Sequence, residues 1–98
     1  MFFITSFEHL PDKKYLHTGD TRTFGYFDDR EKAVRSLHEN WCDMHECLYR
    51  YAVIEEIGQG IHPDVQSRTF FEYDKERNGF FEIEEPKEVK HVCNFALG

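Results

Sequence analysis

Leu48-Tyr49-Arg50-Tyr51-Ala52-Val53-Ile54-Glu55-Glu56-Ile57 is the stretch that decides the fold. Tyr49, Tyr51, Val53 and Ile57 alternate with Ala52 and Ile54, so an extended chain here is apolar on both faces. A strand of that kind suits the middle of a sheet. Gly58-Gln59-Gly60 ends it, and residues 61–67, with Pro63 and Asp64, read as loop. Beyond the loop, Thr69–Tyr73 and Phe80–Glu84 pair as a hairpin. Their connector Asp74-Lys75-Glu76-Arg77-Asn78-Gly79 closes on Asn-Gly, a strong turn signal. Pro86 starts a tail; within 87–97, Val89, Val92, Cys93 and Ala96 fit a short helix, the favoured reading, while the β-branched content fits a strand.

On the N-terminal side, Phe2–Phe7 is aromatic and β-branched and reads as a first strand. Residues 8–21, with Pro11, Asp12, Gly19 and Asp20, form a long polar loop. Thr21–Phe27 is a second strand, and Gly25 inside it signals a bulge or a close backbone approach. Asp28 with Glu31 three residues on fits a capping box. Ala33, Val34, Leu37 and Trp41 then recur at helical spacing, which predicts a helix over 29–41 with Asn40 as a left-handed cap near its end. Cys42–Cys47 connects it to the central strand. The expected fold is a single α+β domain over residues 1–98. Its sheet is antiparallel or mixed, of about five strands, with one main helix packed on one face. The order is β-β-α-β-β-β plus a short C-terminal element.

Composition bounds the function. Forty per cent hydrophobic residues, with ten Phe and five Tyr, are enough for one core, so disorder is a poor reading despite the charge content. The best apolar run, Tyr51–Ile54, falls far short of the roughly 20 residues of a membrane span. The start Met1-Phe2-Phe3-Ile4 lacks a basic flank and is soon interrupted by Glu8, His9 and Asp12, so it reads as a strand and not a signal peptide. Three cysteines, an odd number, imply reduced thiols and a cytoplasmic setting. The net charge of −7 disfavours nucleic acid. It is also uneven: residues 1–54 carry nine acids and seven bases, residues 55–98 ten acids and five bases. The expected partner is a protein, one with a basic surface or a second copy of the chain.

Arg22-Thr23-Phe24-Gly25-Tyr26-Phe27, Ala33 to Asn40, Tyr49 to Ile57 with Gly60-Ile61-His62-Pro63, and Gly79 to Pro86 together resemble small uncharacterised proteins of Firmicutes and their phages or prophages. The resemblance spans most of the chain. It implies no enzyme activity and no site residues, but it implies a setting in which small acidic proteins block host factors by binding them.

Three constellations carry candidate chemistry. Phe70, Phe71, Phe80 and Phe81 sit in the two hairpin strands among Glu72, Asp74, Glu82 and Glu84. Adjacent Phe pairs put rings on both sheet faces. One face meets the helix, and the other must be covered by the tail, by a second copy or by a partner. If it is open, an apolar patch rimmed by carboxylates suits a basic partner. Arg22 and Arg50 with Tyr26 and Trp41 suit a nucleotide-type anion through guanidinium contacts and stacking. His38, Cys42, His45 and Cys47 have ligand types that would hold zinc if they converged, the one cofactor the sequence suggests. Nothing assembles nucleophile, base and orienting group, so an enzyme is the least expected class. Glu55-Glu56 and Glu84-Glu85 read as solvated strand ends. Gly58-Gln59-Gly60 is not followed by a helix start and so makes no phosphate loop.

Overall fold

The computed structural model describes residues 1–61 and 63–97. His62, within the expected 61–67 loop, and Gly98 lie outside the described residues. Five strands, β1 (Phe2–Phe7), β2 (Thr21–Phe27), β3 (Tyr51–Ile57), β4 (Val65–Asp74) and β5 (Gly79–Ile83), form one sheet in the order β2-β1-β3-β4-β5. Every neighbouring pair is antiparallel, so the sheet is antiparallel and not mixed. β3 takes the central place that its two apolar faces demand.

β2 and β3 both pair with β1, so they run parallel to each other. Parallel strands cannot be joined by a tight turn and need a crossover. Helix α1 (Arg30–His38) provides it, packing against β1, β2, β3 and β5. Ala33 and Leu37 of α1 bury against Ile4, Ala52, Ile54, Phe71 and Phe80. Each of the larger side chains, fully buried, contributes about 1.5–3 kcal/mol, and each alanine methyl less than about 1 kcal/mol. The opposite face holds Phe7, Tyr51, Val53 and Phe70. It is covered by Leu10 from the β1–β2 loop and by Val89, Val92 and Phe95 from the C-terminal segment. The pleat makes this division: Ile4 lies opposite Ile54 on one face, Phe7 opposite Tyr51 on the other.

Several boundaries differ from the sequence pattern, each for a physical reason. Asp29, not Asp28, caps α1, accepting from the Glu31 N–H at 2.9 Å. The helix stops at His38, before Trp41. Asn40 is left-handed (φ 50°, ψ 51°) and a separate 3₁₀ turn, Trp41–Asp43, follows. β3 starts at Tyr51 because Leu48 and Tyr49 still donate their N–H groups to the His45 carbonyl. β4 reaches back to Val65, inside the expected loop, where the ladder continues opposite Ile57. The polar run Gln66-Ser67-Arg68 hides that extension from any hydrophobic pattern.

The helix expected within 87–97 is absent. One 3₁₀ turn, Lys87–Val89, is followed by irregular chain. Its backbone is committed elsewhere: the Phe95 and Ala96 N–H groups donate to the Glu55 carboxylate at 3.0 Å. Glu55, read from sequence as a solvated strand end, is 0% exposed. Arg68 stands opposite it in the ladder, donates to the Val92 carbonyl and lies 3.8 Å from Glu85. Burial pushes the Glu55 carboxyl up from its ordinary value. The two N–H donors and Arg68 pull the other way and offset only part of that rise.

At the other end of the sheet, Gly79 opens β5 directly beneath the end of α1. A Cβ there would overlap the His38 carbonyl, so this contact requires glycine.

Candidate functional site

The β4–β5 hairpin turns through Lys75–Asn78, with Asn78 left-handed (φ 50°) before Gly79, as the Asn-Gly signal requires. Phe70, Phe71 and Phe80 are core residues, 1%, 1% and 0% exposed. They are not available to a partner, which corrects their assignment to a partner-binding face; of the three covers the sequence allowed for the second face, the tail is the one present. The C-terminal segment covers Phe70, and α1 covers Phe71 and Phe80. Phe81 is half-buried at the edge strand, stacked on the His38 ring at 4.8 Å.

What remains at the surface is a concavity of about 410 Å³ lined by Glu72, Asp74, Glu76, Glu82, Phe81 and Arg77 among others. The Arg77 guanidinium lies over the Phe81 ring at 3.5 Å and pairs with Asp74 at 2.8 Å. That hydrogen bond, with the Arg77 and Glu76 backbone N–H groups, holds the Asp74 carboxyl below its ordinary value. Glu72 pairs with Arg50 at 2.8 Å. Glu76 and Glu82 form no ion pair among the described residues. Glu84 lies just past β5 and is exposed. The sequence reading missed the role of Arg77. Its spacing from Asp74 was the available signal, since a turn brings such residues together.

The four residues proposed for an anionic ligand separate. Tyr26 and Trp41 line one cavity between β2 and the Asn40–Cys47 loop. Arg22 sits nearby, 4.8 Å over Phe24, but is paired with Glu46 at 3.0 Å. Arg50 belongs to the hairpin side through Glu72, so the four do not form one nucleotide site.

The zinc expectation is corrected as well. Among the described residues no three His, Cys, Asp or Glu side chains group to hold a metal. His38 is drawn to Phe81, and Cys42 and Cys47 are exposed. His45 lies flat on Tyr73 at 3.6 Å, with Nδ1 on the Tyr49 carbonyl at 2.7 Å. A continuous helix would put His38 and Cys42 on one face, but the chain leaves the helix between them. Asn40, Cys42, Asp43, Glu46 and Cys47 all have positive φ, between 48° and 60°. Each non-glycine residue there costs on the order of 1–2 kcal/mol. Asn40 holds the loop by accepting from the His45 N–H at 3.0 Å and donating to Asp43 at 3.1 Å.

No family model matches the chain, and no curated protein or solved structure is significantly similar to it. Among the described residues no helix is long and apolar enough to cross a membrane.

Proposed function

We propose that this chain is a non-enzymatic binding protein that docks through the acidic face of its β4–β5 hairpin on a basic surface of a partner protein. The observation that carries this reading is the concavity lined by Glu72, Asp74, Glu76, Glu82 and the Phe81 ring. An aromatic face beside a carboxylate is the chemistry that receives an arginine. The chain's own Arg77 already uses that pairing, with Phe81 and Asp74. Glu76, Glu82 and Glu84 are left for the cations of a partner. Such exposed charges each contribute less than about 1 kcal/mol, but together they speed and orient docking. The resemblance to proteins of Firmicutes and their phages supplies the setting: an inhibitor of prophage origin that blocks a host protein.

The test uses a labelled arginine-rich peptide and the triple variant Glu76→Lys, Glu82→Lys, Glu84→Lys. The wild type is expected to bind with an affinity that falls as salt rises. The variant should lose at least about tenfold in affinity with an unchanged melting temperature, because all three side chains are exposed. Equal binding by the two proteins overturns the reading. Phe-to-Ser changes at Phe70, Phe71 or Phe80 would test the fold and not the site.

A further inference from the structure

Beside β2, on the helix side of the sheet, lies a second and more apolar cavity, of about 240 Å³. Phe24, Tyr26, Phe27, Trp41 and Met44 contribute to its wall, and Ser36 adds a hydroxyl-bearing side chain. Its origin is visible in the backbone. β2 bulges where Ile4 pairs with Gly25 and Thr5 with Thr23, leaving Phe24 as the extra residue. Gly25 then contributes no side chain, and a Cβ built there would meet no atom within 4 Å. The Asn40–Cys47 loop closes the other side. Packing holds two of the rings in place: Phe27 sits edge-on to Trp41 at 6.0 Å, and Phe24 edge-on to Tyr49 at 6.2 Å.

Size, charge and hydrogen bonding each narrow the occupant. An apolar cavity of about 150 Å³ is enough to bind benzene, whereas drug-sized sites run to roughly 300–1,000 Å³. This volume therefore suits one small ring system and is too small for a nucleotide. The two guanidinium groups over its wall rings are already matched by carboxylates. Arg22, over Phe24, pairs with Glu46 at 3.0 Å, and Arg35, over Trp41, lies 3.8 Å from Glu39. A ligand anion would have to displace those carboxylates, so a neutral molecule fits better. Ser36 is 2% exposed and gives its hydroxyl proton to the Ala33 carbonyl at 2.7 Å. Its oxygen is left with lone pairs, which makes it an acceptor for a ligand donor. We infer that this cavity is a binding site for a small neutral aromatic molecule bearing one O–H or N–H group, of the phenol or indole class. The site is independent of the hairpin surface.

Trp41 is the only tryptophan in the sequence, so its indole N–H signal reports the cavity without interference. Three probes separate the terms: phenol, toluene (the same shape without the donor) and benzoate (the same ring with a charge). Phenol is expected to shift the Trp41 signal saturably, with toluene about fivefold weaker and benzoate at least tenfold weaker. Ser36→Ala should erase the preference for phenol over toluene while toluene binding persists. Cys42→Phe, at an exposed position in the cavity wall, should block all three and serves if Ser36→Ala does not fold. No saturable shift with phenol at millimolar concentration overturns the inference. So does benzoate binding as tightly as phenol, or a phenol preference that survives Ser36→Ala.

Discussion

Replacing Glu55 by alanine should unfasten the C-terminal segment from the sheet. The carboxylate accepts from the Phe95 and Ala96 N–H groups at 3.0 Å, and it faces Arg68 across the ladder. A hydrogen bond to a charged group contributes about 1.5–3 kcal/mol net, so two give roughly 3–6 kcal/mol. For the charged form burial outweighs these donors, so the loss on truncation comes mainly from the Phe95 and Ala96 N–H groups left without an acceptor, at about 1–3 kcal/mol each, less the desolvation cost that alanine removes. A net loss of about 2–3 kcal/mol remains, or roughly 8–24 °C in melting temperature for a chain of this size. Circular dichroism melts would measure the loss, and hydrogen exchange would show the Phe95 and Ala96 amides opening first. Glu55→Gln keeps one carbonyl acceptor and sheds the desolvated charge, so it should be more stable than Glu55→Ala.

The pH dependence follows from the direction of the shift. Burial raises the Glu55 carboxyl in the folded state, so the fold binds that proton more tightly than the unfolded chain does. Its contribution is full below the ordinary carboxyl value and is lost as pH rises through the raised one. The stability of the wild type relative to Glu55→Gln should therefore grow as pH falls from neutrality toward the ordinary carboxyl range. Asp12 and Asp74 are lowered instead, by hydrogen bonds from backbone N–H groups and from Arg77, so their contributions fade only in stronger acid. An unchanged melting temperature in Glu55→Ala, with the two amides exchanging no faster, refutes the reasoning.

Three other outcomes are expected. Gly79→Ala drives a methyl group into the His38 carbonyl and should cost about 2 kcal/mol or more in urea unfolding, because α1 must shift to admit it. Asn40→Ala removes both side-chain hydrogen bonds of the loop and places alanine at a left-handed position. About 2 kcal/mol of destabilisation is expected in the same assay, and a loss under about 0.5 kcal/mol would show the loop to be held by other contacts. Adding zinc and then a chelator should leave the thermal melt where it began, because His38, His45 and the two loop cysteines do not converge. A stabilisation by zinc that the chelator reverses would restore the metal reading.

Local signals were legible wherever residues a few positions apart decide the outcome. The alternation in Tyr51–Ile57 marked the central strand, Asn78-Gly79 marked the hairpin turn, and the Ala33–Leu37 stripe marked the helix and its buried side. The left-handed Asn40 was legible too, but the helix end it imposes was not, because Trp41 continued the apolar spacing past it. Candidate sites fared worse for the same reason. Phe70, Phe71 and Phe80 look alike in sequence whether they face a partner or a core, and what covers them comes from elsewhere in the chain.

Sequence by itself determined an α+β domain with an apolar central strand, a strongly acidic second half and one amphipathic helix. Only the tertiary structure decided that Glu55 would be buried, since its partners lie forty residues away at Phe95. It also decided that Arg77 would cover Phe81, and that a bulged edge strand and a left-handed loop would leave a cavity between them. Periodicity shows which residues need burial. Which surface meets that need depends on contacts between segments far apart in the chain, and no local pattern encodes those.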